Sequence, residues 1–199
     1  MDRAKKIGVE NFNVFFSPSE SFNINNHGKM ASQIFTEYCT ALDGIPKDNI
    51  RVYLSCVFGS PYTETIEVEA IERSIRWADS LGSTIVLSDT IGNADPLSIR
   101  SFVNHTNNMS IDSDLALHLH HGPRKNRMFD NLSAGFDAGI RQFDSSIGGM
   151  GGCPFVPGSG GNLSTEDLVK WANDERLDCG VKPEDLGIVS KYVQEKLEH

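Results

Sequence analysis

Leu115-Ala-Leu-His-Leu-His-His121 is an apolar run that turns to imidazole in its last residues, and four other stretches repeat its plan. They are Asn13-Val-Phe-Phe-Ser17, Arg51-Val-Tyr-Leu-Ser-Cys-Val57, Ser83-Thr-Ile-Val-Leu-Ser-Asp89 and Gln142-Phe-Asp-Ser-Ser146, about thirty residues apart. Each is short and followed by a helical pattern, and that alternation predicts βα units with a parallel sheet covered by helices. Ile66, Ala70, Ile71, Ile75, Ala78 and Leu81 make one helical stripe, with Gly82 as its stop. Ser164-Thr-Glu-Asp167 reads as a capped helix start, Asp95-Pro96 opens another helix, and Lys182-Pro183 opens the last.

All five predicted strands end in polar residues: Ser17 and Ser19, Ser55 and Cys56, Ser88 and Asp89, His118 and His120, and Asp144 to Ser146. Packing does not account for five polar ends at one edge of a parallel sheet, whereas chemistry does, since α/β sheets and barrels carry their sites there. Five strands do not close a barrel of eight. Ala4-Lys-Lys-Ile-Gly-Val9 also reads like the tail of a helix. The expectation from the pattern is α/β, with the parallel sheet of a (β/α)8 barrel or an open α/β fold, in a chain that looks truncated at its N-terminus.

His118 and His120 are two apart, so on a strand they point to the same side and can hold one metal ion. His121 faces the other way and reads as a solvated loop residue. Gly148 to Asn162 holds seven glycines in fifteen residues and a single cysteine, Cys153, which suggests a movable lid. Cys39 reads as core packing on a helix, and Cys56 as core packing in a strand. The four cysteines form no CxxC pair, so neither a disulfide framework nor a zinc knuckle is indicated. A reducing, cytoplasmic setting is expected. Net charge is −9, from 27 acidic and 18 basic residues, which argues against nucleic-acid and anionic-membrane binding. No apolar run approaches the ~20 residues needed to span a bilayer.

Read in order, Ser19-Glu-Ser-Phe-Asn23, Ser55-Cys-Val-Phe-Gly-Ser-Pro-Tyr62, Leu87-Ser-Asp-Thr-Ile-Gly92, His118-Leu-His120, Phe143-Asp-Ser-Ser-Ile-Gly-Gly149, Gly151-Gly-Cys-Pro-Phe155 and Gly161-Asn-Leu-Ser-Thr-Glu-Asp167 carry a resemblance. From about Ser17 onward the chain resembles the 3-hydroxy-3-methylglutaryl-CoA lyase family of metal-dependent barrel lyases. The resemblance implies a carbon–carbon lyase that cleaves 3-hydroxy-3-methylglutaryl-CoA to acetyl-CoA and acetoacetate with a divalent metal ion, Mg or Mn. It implies His118, His120 and Asn162 as metal ligands, with His118 also near the substrate. It implies Cys153 as the lid's acid/base and Asp89 as a catalytic carboxylate, although Asp89 before Thr90-Ile-Gly92 is also placed to cap that turn. Asn162 reads alternatively as a turn residue, with Ser164 the better helix cap. Arg124, Lys125 and Arg127 form a basic cluster, either for CoA phosphates or simply solvated.

The chain departs from the family pattern at three places. His121-Gly-Pro-Arg-Lys-Asn-Arg127 replaces the family's usual continuation of the His-x-His strand, and Ser60 stands where a Cys is common. The family's first strand carries an Arg-Asp pair that has no counterpart in the 199 residues. The resemblance therefore implies a single domain, 1–199, forming the C-terminal part of an incomplete (β/α)8 barrel that lacks the first three strands, about five βα units plus a C-terminal helix. Two imidazoles and an amide supply no negative charge for a hard cation, which favours carboxylate oxygens. The chain alone is therefore expected to be inactive, with a homo-oligomer or an N-terminal complementing fragment as its partner. The alternatives are an inactive fragment or pseudoenzyme, or a related acyl-CoA condensing synthase.

Overall fold

A computed structural model of the chain describes residues 2–122, 127–152 and 160–197. Along them run α1 (Asp2–Lys6), β1 (Phe12–Phe16), α2 (Glu20–His27), α3 (Ala31–Ala41), β2 (Ile50–Leu54), α4 (Val68–Leu81) and β3 (Thr84–Asp89). There follow α5 (Pro96–Asn107), β4 (Asp114–Leu119), α6 (Met128–Asp137), β5 (Gln142–Asp144), α7 (Thr165–Asp174) and α8 (Pro183–Leu197). The strands form one sheet in chain order, β1-β2-β3-β4-β5, with every neighbouring pair parallel. The five expected strands are all present. The architecture is α/β, an incomplete (β/α)8-type barrel.

Local chemistry explains where the helices begin. Ser164 accepts the backbone N–H of Asp167 at 3.0 Å and caps α7. Asp95 accepts that of Ser98 at 2.8 Å and caps α5, with Pro96 in its first turn. The α4 stripe buries Ile75, Ala78 and Leu81, while Ile66 lies ahead of the helix because Glu67 is extended. Gly82 ends α4 in extended backbone, and its special property is size: a Cβ there would lie 2.5 Å from the Ile50 carbonyl oxygen.

Strand register sorts the side chains onto two faces. Phe16, Leu54, Leu87 and Leu117 align across β1 to β4, are all fully buried, and form the layer between sheet and helices. On the other, concave face Phe15, Tyr53, Val86 and Ala116 align in the same way. Val86 and Ala116 are buried there, but Phe15 on the edge strand is 39% exposed. Cys39 departs from expectation, because it is exposed. The buried side of α3 runs through Ala31 and Ile34, and Cys39, five residues beyond Ile34, falls off that stripe.

The two faces should respond differently to truncation. Leu87→Ala is expected to cost about 2–5 kcal/mol in urea unfolding. Phe15→Ala, already half open to solvent, should cost less than about 1 kcal/mol. Similar losses for both would contradict this assignment of the core.

Candidate active site

Parallel register brings the site's residues together. β3 places Ser88 opposite His118, and β5 places Asp144 opposite His118 on its other side, so all three side chains share the concave face. His120 lies one residue past the end of β4, where its backbone makes an antiparallel bridge with Asn162. That bridge belongs to a short returning segment: Leu163 N donates to Leu119 O at 2.9 Å, His121 N to Gly161 O at 2.8 Å, and Gly160 N to His121 O at 2.8 Å. Glycine is required at 160, where a Cβ would lie 2.7 Å from the His121 carbonyl oxygen. The end of the glycine-rich segment is thus laid along the strand that carries the histidines.

The two imidazoles face each other, Nε2 to Nε2, at 3.1 Å. His120 Nδ1 lies 3.0 Å from the Thr90 carbonyl oxygen. A carbonyl only accepts, so this nitrogen carries the proton and His120 Nε2 holds a lone pair. Burial, with His118 beside it, holds the His120 imidazole below its ordinary range, despite the Thr90 hydrogen bond. Asn162 donates from Nδ2 to Met150 O at 2.7 Å, and its backbone is bridged to His120 on the rim of the same cleft. His118, His120 and Asn162 therefore meet at one place. At 3.1 Å the two Nε2 atoms are hydrogen-bonded, and with the His120 Nε2 lone pair as acceptor the donor is His118 Nε2, whose proton a bound cation would replace. These residues fit a divalent cation, although no group of three or more His, Cys, Asp and Glu gathers anywhere among the described residues.

They sit in a cleft of about 390 Å³ on the concave face. Val14, Phe15 and Phe22 supply its apolar wall, while Ser55, Ser88 and Tyr53 add polar atoms. Behind His118 stands a group that sequence reading noted only as a polar strand end. Asp144 accepts the Tyr53 hydroxyl at 2.7 Å and pairs with Arg51 Nη2 at 3.1 Å, and its Oδ2 lies 3.4 Å from His118 Nδ1. That last separation is within ion-pair reach but outside hydrogen-bond geometry, so the buried Nδ1 has no hydrogen-bond partner among the described residues. Desolvation pushes the Asp144 carboxyl up, but its contacts with His118 and Tyr53 and the Arg51 charge together hold it below its ordinary value. Tyr53 is raised to about 12 by burial and by donating to Asp144, so it stays a neutral donor.

Asp89 is brought near the histidines but not into the cleft. Its carboxylate accepts from Asn93 N at 2.9 Å and Ala94 N at 3.1 Å, and it is 1% exposed. It fixes the turn whose Thr90 oxygen orients His120. Burial raises its carboxyl to about 6 against the hydrogen bonds from Asn93, Ala94 and Gly92. Cys153, Arg124 and Lys125 lie outside the described residues. Arg127 pairs with Asp95 at 3.7 Å, and His121 lies 3.8 Å from Asp167. Cys56 is buried, as expected, but it lies in a turn past the end of β2, at φ 64°, rather than in a strand, and its N–H donates to the Thr90 hydroxyl at 2.8 Å.

The HMGL-like family model matches residues 1–193. The chain belongs to the HMGL-like family. It is 32% identical over 200 residues to the hydroxymethylglutaryl-CoA lyase YngG of Bacillus subtilis, across 99% of this chain and 66% of that protein. It is 31% identical to the hydroxymethylglutaryl-CoA lyase of Pseudomonas mevalonii, across 98% of this chain and 65% of the relative. An HMG-CoA lyase from Acinetobacter baumannii, solved with coenzyme A and 3-methylmalate, superposes with a TM-score of 0.86 at 29% identity. That alignment covers 99% of this chain and 65% of that one. The chain thus spans about two-thirds of the length of these lyases.

Asp89 generates a pH prediction. The folded protein binds its proton more tightly than the unfolded chain, whose carboxyl titrates near 3.8. Stability therefore falls as pH rises from about 4 to about 6, by up to roughly 3 kcal/mol from this group. Asp89→Asn should remove that slope, read as the difference between wild-type and variant urea midpoints across the window. Parallel pH profiles would refute the assignment.

Proposed function

We propose that this chain provides the metal-holding side of a carbon–carbon lyase acting on 3-hydroxy-3-methylglutaryl-CoA, with acetyl-CoA and acetoacetate as products. Its five βα units correspond to the last five of the family's eight. The observation that carries the reading is the convergence of His118 Nε2, His120 Nε2 and the Asn162 carboxamide at the carboxyl edge of the sheet. Family membership and the coenzyme A bound by the Acinetobacter lyase support an acyl-CoA as the substrate class.

His118, His120 and Asn162 would hold a divalent ion, Mg or Mn in this reading. When bound, the ion polarises the substrate's hydroxyl and carbonyl oxygens as a Lewis acid. The chain's own residues perform the rest. The cleft walls of Phe15, Phe22 and Val14 exclude water from the acyl group, and Ser55, Ser88 and Tyr53 give it polar contacts. Cleavage removes the proton from the C3 hydroxyl, breaks the C2–C3 bond and leaves the electron pair on the thioester enolate carbon. That carbon must then take up a proton, a step we assign to Cys153 as acid/base. His118, which lines the cleft, would lie near the substrate in this reading. The enolate's charge requires a fixed cation, a term worth roughly 3–4 kcal/mol or 10²–10³ in rate. Arg51 does not supply it, because it is paired with Asp144. A complementing segment that brings an Arg-Asp pair is therefore part of the proposal. The cytoplasmic setting named for the rat and human relatives completes it.

Two assays test this. In calorimetric titration with Mn²⁺ the wild-type chain should bind one ion, and His120→Ala should lose at least tenfold in affinity. Equal binding removes the ligand assignment. Acetyl-CoA release from 3-hydroxy-3-methylglutaryl-CoA should be absent for the 199-residue chain and appear when a fragment carrying the Arg-Asp strand is added. Full activity of the chain alone would contradict the need for complementation.

A further inference from the structure

We propose that Glu166 is a positioning residue for Asn162: its carboxylate pins the turn at residues 147–150 to α7 and α8, and that turn sets which way the Asn162 carboxamide points. The path starts at Met150. Its carbonyl takes Asn162 Nδ2 at 2.7 Å, and a carbonyl only accepts, so the amide nitrogen faces the turn and Oδ1 faces away from it. The same carbonyl accepts the Ser146 hydroxyl at 2.7 Å, and Asn162 N donates to Gly149 O at 3.1 Å. Asn162 is thus tied to the turn by side chain and backbone together. The fit is close: a Cβ on Gly151 would lie 2.8 Å from Asn162 Nδ2, and one on Gly149 would lie 2.8 Å from the Asn162 carbonyl oxygen.

Glu166 holds the turn from its other side. Gly148 and Gly149 are left-handed, at φ 63° and 66°, and the Gly148 N–H donates to the Glu166 carboxylate, 3.2 and 3.0 Å from its two oxygens. The Ser190 hydroxyl on α8 donates to Glu166 Oε1. Desolvation pushes the Glu166 carboxyl up, but the Ser190 hydroxyl and the backbone N–H groups of Glu166 and Gly148 together hold it below its ordinary value, so a charged acceptor stands there at neutral pH. Ser164 already caps α7, and Asp167 supplies a second carboxylate in its first turn. The needs of that helix start therefore account for neither the Gly148 contact nor the Ser190 contact. One carboxylate joins α8, α7 and the turn, and the turn in turn holds Asn162, which borders the cleft together with Gly152.

Asn162 as a metal ligand rests on the proposed function, but its orientation does not, and the two are read separately. In ¹H–¹⁵N spectra of the full chain labelled with ¹⁵N-asparagine and free of metal, the Asn162 Nδ2 protons report the Met150 contact. Their exchange with water should be about fivefold faster in Glu166→Ala than in the wild type, and about twofold faster in Ser190→Ala, a milder cut of the same path. Glu166→Gln keeps an acceptor oxygen for Gly148 and should restore the wild-type rate to within about twofold. Asp167→Asn removes a first-turn charge from α7 whose carboxylate lies beside His121 instead of the turn, and it should leave the Asn162 signal unchanged. Mn²⁺ affinity on the same samples should fall about tenfold in Glu166→Ala and be kept in Glu166→Gln. Wild-type exchange in Glu166→Ala, or in Ser190→Ala should Glu166→Ala not fold, overturns the inference, as does equal acceleration in Asp167→Asn. Faster Asn162 exchange in a chain that binds no Mn²⁺ would retain the positioning role and sink the metal reading instead.

Discussion

Two imidazole nitrogens held 3.1 Å apart, each ring fixed from behind, are the constraint on which the site depends. His120 is fixed by the Thr90 carbonyl, and Thr90 sits in a turn that the buried Asp89 carboxylate holds together. His118 is backed by Asp144, which Arg51 and Tyr53 hold in turn. None of these supports lies near the histidines in sequence except through the sheet. Parallel pairing in unbroken chain order brings strand ends from residues 54, 89, 119 and 144 to a single edge. The carboxyl edge is therefore a place where loops from different units can orient one another's side chains.

Much of this was legible in the sequence because it follows from local patterns. Apolar runs at regular intervals gave five strands. Ser164 and Asp95 announced their helices through side-chain oxygens, and the His-x-His spacing put two rings on one side. What was not legible depends on register and orientation. Asp144 appeared as one of several polar strand ends. Its pairing with His118 follows from a register between β4 and β5 that no local signal fixes. Asp89 reads as a catalytic carboxylate or a turn cap, and the hydrogen bonds that its two oxygens accept from Asn93 and Ala94 come from a turn that no local signal orients. Cys39 is apolar enough for the core, but helical phase sets it toward solvent.

The concave face carries a tension between stability and function. Its centre is dry, with Val86 and Ala116 buried, while its β1 side presents Phe15 and Asn13 to the cleft. In a closed barrel such residues interlock with those of the remaining strands. Here the same face is open enough to hold the cleft, and the Arg51–Asp144–Tyr53 cluster spans it with polar atoms instead of a packed layer. A segment that completed the sheet would have to accommodate this cluster.

The central claim is that His118 and His120 bind one divalent ion through Nε2. Pulsed electron paramagnetic resonance of the Mn²⁺-loaded chain tests it most directly, because nitrogen couplings count the imidazoles on the metal. Couplings from two histidine nitrogens are expected, falling to one in His118→Ala. A spectrum without nitrogen coupling, or one unchanged by that substitution, would contradict the account.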